Sequence, residues 1–362
     1  MRLTAVAVLC GALPTAASGE TTLDGNVLLS GGYVAHPLDL ATDDGAGFAT
    51  ERLRLQLTSR EQDSTWRLGY EGTSHQLGIA EGPDDLQHAL GLEWFRNGGA
   101  DRPWTLSTGV QVTTRYYADH YSPYDYGEAT GYVAFRRYLD DALVGRGFFQ
   151  LRSRRYGDLP EESYTEPFVQ LELMRFLPTR TTLGTSLKWG QKTYGDPAAE
   201  NVWQTEGSPS TSLLQWSANV AQSLSERASI RAAYLQRWSL EDFPHLVLDD
   251  LYDSPILDAY ASAGSEVSTA FRMLVPWQVW WETGASYGSW DYGDTLFPGA
   301  DGPETRSDDR LVLRTAFERT LATMAGTPMK AQMSVSWRDQ RSTLDAYDLS
   351  GSDVSTALTW SW

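Results

Sequence analysis

The sequence predicts an all-β fold, a transmembrane antiparallel up-and-down β-barrel of about sixteen strands. Three observations lead to this prediction. Apolar and polar residues alternate with a period of two along most of the chain, which is typical of strands. Short turns alternate with longer, acidic loops rich in Gly, Pro, Asp and Tyr. No internal run of about 18 apolar residues occurs, so a membrane-spanning helix is excluded.

The stretch LVGRGFFQLRSRR at positions 143–155 illustrates the alternation. One face carries Leu143, Gly145, Gly147, Phe149 and Leu151, and the other face carries Arg146, Arg152 and Arg154. Arginine is seldom placed in an apolar core. We therefore expect the apolar face to contact lipid and the arginines to face water inside a closed barrel, where no strand edge is left unpaired in hydrocarbon.

The alternating segments have the length that a tilted strand needs to cross a bilayer, roughly ten residues. An even number of strands places both termini on the side of the short turns. The predicted strands are 24–35, 48–58, 64–73, 86–95, 104–116, 126–138, 143–156, 164–176, 181–194, 211–222, 228–238, 260–273, 277–290, 309–320, 329–342 and 352–362.

The N-terminal segment has the features of a secretory signal peptide. Arg2 precedes a short apolar run over 3–13, Pro14 ends that run, and small residues follow it. We predict a signal peptide over 1–18 and a barrel over 19–362. The single cysteine, Cys10, lies in the predicted leader, so the mature chain would have neither a disulfide nor a cysteine-ligated metal.

Tryptophan is frequent, with 14 residues, and its positions favour two aromatic girdles at the membrane interfaces. The first group lies at strand ends on the short-turn side, and the second lies at the opposite ends. The first contains Trp66, Trp94, Trp104, Trp277 and Trp360, and the second contains Trp189, Trp216, Trp290 and Trp337.

The C-terminal stretch DVSTALTWSW alternates and ends on an aromatic residue. It resembles the last strand of Gram-negative outer-membrane β-barrels of the porin-like kind, although Trp362 stands where Phe is usual. The resemblance implies an outer-membrane location, contact with membrane lipid and lipopolysaccharide, and recognition of the last strand by the barrel assembly machinery. It also implies that the short turns are periplasmic and the longer loops extracellular.

The polar faces of the strands predict the residues that line the lumen. Basic side chains outnumber acidic ones there and give the lumen a charge of about +10, which would concentrate anions. The arginines could equally pair with carboxylates and hold the barrel in shape, and the two roles are compatible. The predicted lining residues are Arg52, Arg54, Arg67, Arg115, Arg136, Arg146, Arg152, Arg154, Lys188, Arg231, Arg314, Lys330, Glu71 and Glu282.

The loop over 239–260 is too apolar for a free tip, and it is a candidate constriction inside the lumen. A surface cap and a subunit contact are equally consistent with its composition. Its candidate residues are Phe243, Leu248, Asp249, Asp250, Tyr252 and Asp253.

These features predict a passive or mildly anion-selective pore for small solutes. Three alternatives remain open: an export barrel for an extracellular polysaccharide, whose sugar path would use Tyr116, Tyr117, Tyr121, Tyr124, Tyr126 and Tyr156; a plugged structural or adhesive barrel; and a barrel that sheathes a partner protein. The oligomeric state stays open. The net charge of −18 makes nucleic acid a poor partner. No motif predicts an enzyme, a cofactor or a metal site.

Overall fold

The computed structural model describes residues 20–36, 45–79, 82–194, 210–240, 260, 262–299, 302–324 and 327–362. The predicted signal peptide over 1–18 lies outside these residues and stays a prediction. Within the described ranges the chain forms sixteen strands, β1 to β16. In chain order they are Glu20–Val34, Ala46–Glu61, Ser64–Leu77, Asp85–Gly98, Trp104–Tyr117, Tyr126–Tyr138, Leu143–Tyr156, Tyr164–Leu177, Thr181–Tyr194, Ser210–Ser225, Ala228–Ser239, Ala263–Val275, Val279–Gly299, Gly302–Met324, Thr327–Ser342 and Leu349–Ser361.

Each strand pairs antiparallel with its neighbours in the sequence, and β1 pairs with β16 to close the barrel. The closing register places Asn26 opposite Ser361 and Tyr33 opposite Val354. The backbone of Trp362 extends the seam, because its N–H donates to Gly25 O at 2.9 Å and its carbonyl accepts from the Gly25 N–H at 2.9 Å. The predicted fold is confirmed.

The connections also follow the predicted alternation, with one correction. The segment 290–309 was expected to be a loop because it is acidic and rich in Gly, Pro and Asp. The backbone instead continues as an antiparallel hairpin, with Gly299 opposite Gly302. Backbone pairing outside a membrane does not require apolar side chains, so composition was a poor guide to where these two strands end.

Alternation in the structure separates an apolar outer face from a polar inner face. On β7 and β8, Leu151 is 47% exposed and Leu171 is 58% exposed, whereas Arg154 and Glu166, of opposite parity, are buried. This arrangement agrees with apolar side chains outside and charged side chains inside. No helix among the residues described here is long and apolar enough to span a membrane.

The tryptophan girdles are mostly on the outer face, with one exception. Trp66 contacts Trp94 on the neighbouring strand, and Trp189 and Trp216 are exposed at the other end of their strands. Trp290 was expected in the second girdle, but it is buried beneath the Arg237 guanidinium, on the inner face of β13. That position is therefore not part of the lipid-facing surface.

Candidate functional site in the barrel lumen

The inner face of β4–β8 carries a cluster of buried ion pairs near the long-loop end, which we call the paired cluster: Asp85, Arg115, Glu128, Arg152, Arg154 and Glu166. Arg115 donates through Nε and Nη2 to the two carboxylate oxygens of Asp85, both at 3.0 Å. The two side chains are 2% and 0% exposed. The bidentate geometry satisfies a carboxylate that burial would otherwise destabilise.

The next strands extend the paired cluster by cross-strand register. Arg154 lies opposite Glu128 and donates to Glu128 Oε2 through Nε and Nη2, at 3.0 and 2.8 Å. Arg152 lies opposite Glu166, with its Nη1 3.5 Å from Glu166 Oε2, and its Nε is 3.9 Å from Glu128. Three arginines and three carboxylates therefore alternate around this part of the wall, and their charges cancel.

Tyrosine rings pack between these charges and complete their burial. Arg154 lies 4.1 Å from the centroid of the Tyr126 ring, and the Tyr126 and Tyr156 rings meet edge to face at 5.7 Å. Lys192 is fully buried, 4.4 Å from the Tyr164 ring. Cation–π contacts of this kind are strongest where water is excluded. The cluster is therefore a packed part of the wall.

Tyr260 reaches the paired cluster from the connection between β11 and β12. Its hydroxyl donates to Glu166 Oε1, and its ring lies 5.0 Å from Lys192 Nζ. Gly190 provides the space, because a Cβ at that position would overlap the Tyr260 hydroxyl. This end of the predicted constriction segment therefore contacts the inner wall. The candidate residues Phe243, Leu248, Asp249, Asp250, Tyr252 and Asp253 lie outside the described residues.

The inner face of β11–β14 is different, and we call it the open groove: Arg231, Glu266, Glu282 and Arg314 beside small side chains. The cavity has a volume of about 310 Å³ and its small lining residues include Ser268, Ala270, Gly284 and Ser286. Arg231 and Arg314 are exposed and, within the described part of the chain, have no ion pair. Glu266 pairs with Arg310 at 3.6 Å.

The remaining predicted lining residues make a loose ion pair, a cation–π contact or no ion pair. Loose ion pairs join Arg54 to Glu71 at 4.0 Å, Arg146 to Glu172 at 3.9 Å and Lys330 to Glu318 at 3.6 Å. Arg67 lies 4.4 Å from the Phe95 ring centroid. Arg52, Arg136 and Lys188 have no ion pair among the described residues. The structure thus places the predicted cations around much of the wall and does not bring them into one site.

Three carboxylates of the paired cluster were absent from the predicted set. Asp85 is the first residue of β4, one position before the predicted start, and Glu166 precedes Pro167, which interrupts the alternation. Glu128 alternates with Thr130 and Tyr132 on β6, so the period-two pattern contained the signal for it.

The tyrosines expected at the mouth do not form a sugar path. Tyr117, Tyr126 and Tyr156 are at most 8% exposed because they pack against arginines, and Tyr116 is exposed on the outer face. Tyr121 and Tyr124 lie in the short 3-10 helix Asp119–Tyr124, with their rings 6.5 Å apart. Burial, followed by the nearby Glu162 carboxylate, raises the pKa of Tyr124.

No group of three His, Cys, Asp or Glu side chains within the described ranges could hold a metal ion. Among those residues, His75 contacts Asp85 at 3.2 Å and His88 accepts or donates a hydrogen bond with the Tyr70 hydroxyl at 2.9 Å. Each of these histidines thus has a hydrogen-bond partner in the wall.

No family model and no curated protein matches the chain. Solved structures do match. The outer membrane protein OprD from Pseudomonas aeruginosa aligns with a TM-score of 0.53 at 9% identity and covers 96% of each chain. The chain has the fold of this outer-membrane protein.

Two further structures give the same result. OccAB2 from Acinetobacter baumannii aligns with a TM-score of 0.52 at 10% identity, covering 95% of this chain and 98% of that one. The outer membrane protein opdK from Pseudomonas aeruginosa aligns with a TM-score of 0.52 at 7% identity, covering 95% and 99%. The predicted resemblance to porin-like outer-membrane barrels is confirmed at the level of the fold, and the predicted outer-membrane location agrees with it.

Proposed function

We propose that this chain forms a passive pore for small solutes in the outer membrane of a Gram-negative bacterium, with a mild preference for anions. The open groove carries this proposal. Its two arginines are exposed and free of ion pairs among the described residues, whereas each arginine of the paired cluster lies beside a carboxylate. Barrels of this strand number are wide enough to leave an aqueous channel.

The preference follows from how the charges are distributed. Exposed cations without carboxylate partners concentrate anions in an enclosed lumen, because low-dielectric walls focus their field. The groove carboxylates, Glu266 and Glu282, equal these arginines in number, but Glu266 already pairs with Arg310, so one positive charge is left over and a mild selectivity is expected. Cations elsewhere in the wall without ion pairs in the described part, including Arg52 and Lys188, add to it.

Reversal potentials of the purified barrel in a planar bilayer test the proposal. Under a tenfold gradient of potassium chloride, the expected result is stable single-channel conductance with a chloride permeability that exceeds that of potassium. Cation preference would overturn the selectivity, and a folded barrel without conductance would overturn the pore. Raising the salt concentration should reduce the preference, because screening shortens the range of the arginine charges.

A barrel that exports a polysaccharide is a weaker interpretation, because four of the six tyrosines expected to line its path are buried or face outwards. The recognition of the C-terminal strand by the assembly machinery remains a prediction, and the oligomeric state was left open by the sequence. The same purified material addresses the second, since its mass in detergent distinguishes a monomer from a trimer.

A further inference from the structure

Three aromatic side chains lie next to one another on the inner face of β6, β7 and β8, and we call them the aromatic platform: Tyr132, Phe148 and Phe168. They share the parity of the lumen-facing residues, whereas Val133, Phe149 and Leu171 are exposed on the outer face. The Tyr132 and Phe148 centroids are 5.6 Å apart, and Phe148 and Phe168 are 6.1 Å apart. All three are partly exposed. A row of apolar rings is unusual on a polar face.

The Tyr132 ring lies along the wall. Its hydroxyl donates to Glu93 Oε1 at 2.8 Å, two strands away, and the ring crosses Gly109 on the strand between them. A Cβ at Gly109 would lie 2.6 Å from the Tyr132 ring, so only glycine leaves room for this orientation. The Phe148 ring is within 26° of parallel to the Tyr132 ring. The Phe168 ring is inclined at 71° to the Phe148 ring, so only Tyr132 and Phe148 are close to parallel. Both of these rings are partly exposed on the inner face of the barrel.

Charged groups surround the platform, and two of its arginines lie beside carboxylates. Arg146 lies 5.9 Å from the Phe148 centroid and 3.9 Å from Glu172, and Arg67 lies opposite Glu93 in the strand register. Arg136 lies opposite Arg146 in the strand register and adds a cation that has no ion pair among the described residues. The rim therefore offers hydrogen-bond donors and carboxylate acceptors side by side, a combination that the hydroxyls of an uncharged solute can use.

We propose that the aromatic platform is a binding site for the pyranose ring of a neutral sugar on its way through the pore. The C–H face of a pyranose would stack on Tyr132 and Phe148, and its hydroxyls would bond to Glu93, Glu172 and Arg146. Aromatic side chains with a small number of placed polar groups are the kind of lining that small-molecule sites use. The inference rests on the proposed pore and specifies a solute class for it.

Sugar-dependent block of the ion current tests this inference. Maltotriose is titrated against single wild-type channels in a planar bilayer, and poly(ethylene glycol) of similar mass serves as the solute that has no ring to stack. The expected result is a saturable fall in current with maltotriose and a smaller, linear effect of the polymer. Phe148→Ala should raise the half-blocking concentration about tenfold, the loss of one stacked ring.

Two further variants separate binding from structure. Trp280 is an inward aromatic residue of β13 that lies outside the platform and packs beneath Arg272 of β12. Trp280→Ala should leave the half-blocking concentration unchanged. Tyr132→Phe keeps the ring and loses only its bond to Glu93, so it should weaken block less than Phe148→Ala does while the barrel stays folded.

Several results would overturn the inference. They are equal effects of maltotriose and polymer on the wild type, an unchanged half-blocking concentration in Phe148→Ala, and block by benzoate in place of the sugar. In each of these cases the channel still conducts ions and the pore stands. A wild-type barrel that carries no current would instead overturn the pore and this site with it.

Discussion

The paired cluster and the open groove use the same residue type in the same lumen for different purposes. Arg115 and Arg154 are buried, and both make short charge-assisted hydrogen bonds to a carboxylate on a neighbouring strand. Arg231 and Arg314 are exposed and make no ion pair in the described part of the chain. Arg115 and Arg154 therefore join neighbouring strands, whereas Arg231 and Arg314 contribute charge to the lumen.

The comparison shows that a count of lumen arginines does not measure selectivity. A guanidinium in a buried bidentate pair is neutralised by its partner, and a solute experiences little of its field. Its removal leaves a buried charge behind, which is costly to the fold. An exposed guanidinium costs the fold little and acts on passing ions. Stability and selectivity should therefore respond to different arginines.

The largest expected loss of unfolding free energy follows from Arg115→Met. The substitution removes the bidentate partner of the Asp85 carboxylate, whose side chain is 0% exposed, and leaves it the hydrogen bond with His75. Breaking a buried pair from one side costs about 3–5 kcal/mol of unfolding free energy. Urea titration of the barrel refolded in lipid vesicles measures it.

The matched control for Arg115→Met is Arg136→Met, an exposed lumen arginine without an ion pair in the described ranges. It should change the unfolding free energy by less than about 0.5 kcal/mol. Equal losses in the two variants would show that burial and pairing do not distinguish the arginines.

A slightly smaller loss of unfolding free energy is expected when an arginine is introduced on the outer face. Leu151 is 47% exposed on the outside of β7, and Leu151→Arg should cost about 2–4 kcal/mol if the position is near the bilayer midplane. Gln150→Arg introduces the same residue one position earlier, towards the lumen, and should cost less than about 1 kcal/mol. The same urea titration decides it, and a larger cost at position 150 than at 151 would reverse the assignment of faces.

The sequence predicted the fold well because strand alternation repeats sixteen times and each repeat is independent evidence. The residue types on each face of β5, β7 and β9 follow directly from it. The hairpin that closes at Gly299 and Gly302 was mistaken for a loop, since its composition signals loops while its backbone pairing has no composition requirement.

The site was less predictable. The arginines were found from alternation, but their division into paired and unpaired sets was not. Arg115 meets Asp85 across 30 positions of sequence, and such a contact depends on how far neighbouring strands are shifted against each other. The shift is a property of the closed barrel as a whole. Tyr260 was beyond sequence reasoning for the same reason, because its contacts Glu166 and Gly190 lie on strands that are not adjacent to its own connection.

A moderate loss of unfolding free energy is expected from a substitution at the point where Tyr260 contacts the wall. In Gly190→Ala the new methyl group would displace the Tyr260 hydroxyl from the buried Glu166 carboxylate. Losing this bond should lower the unfolding free energy by about 1–3 kcal/mol. Gly127→Ala, where nothing lies within 4 Å of the added Cβ, should be neutral or slightly stabilising in the same urea titration. Identical behaviour of the two glycines would mean that the Tyr260 contact contributes nothing to stability.

The smallest effect on stability, and the largest on selectivity, is expected in the open groove. Arg231→Gln and Arg314→Gln remove exposed charges without leaving a buried partner, so the unfolding free energy should stay within about 0.5 kcal/mol of the wild type. The reversal potential in a potassium chloride gradient should shift towards that of an unselective pore, and the double variant should shift further than either single one. Arg154→Gln, made in the paired cluster, should do the opposite, with a clear loss of stability and little change in reversal potential. If Arg154→Gln changed selectivity as much as the groove variants do, the lumen would respond to total charge alone, and the division into two kinds of arginine would have no functional meaning.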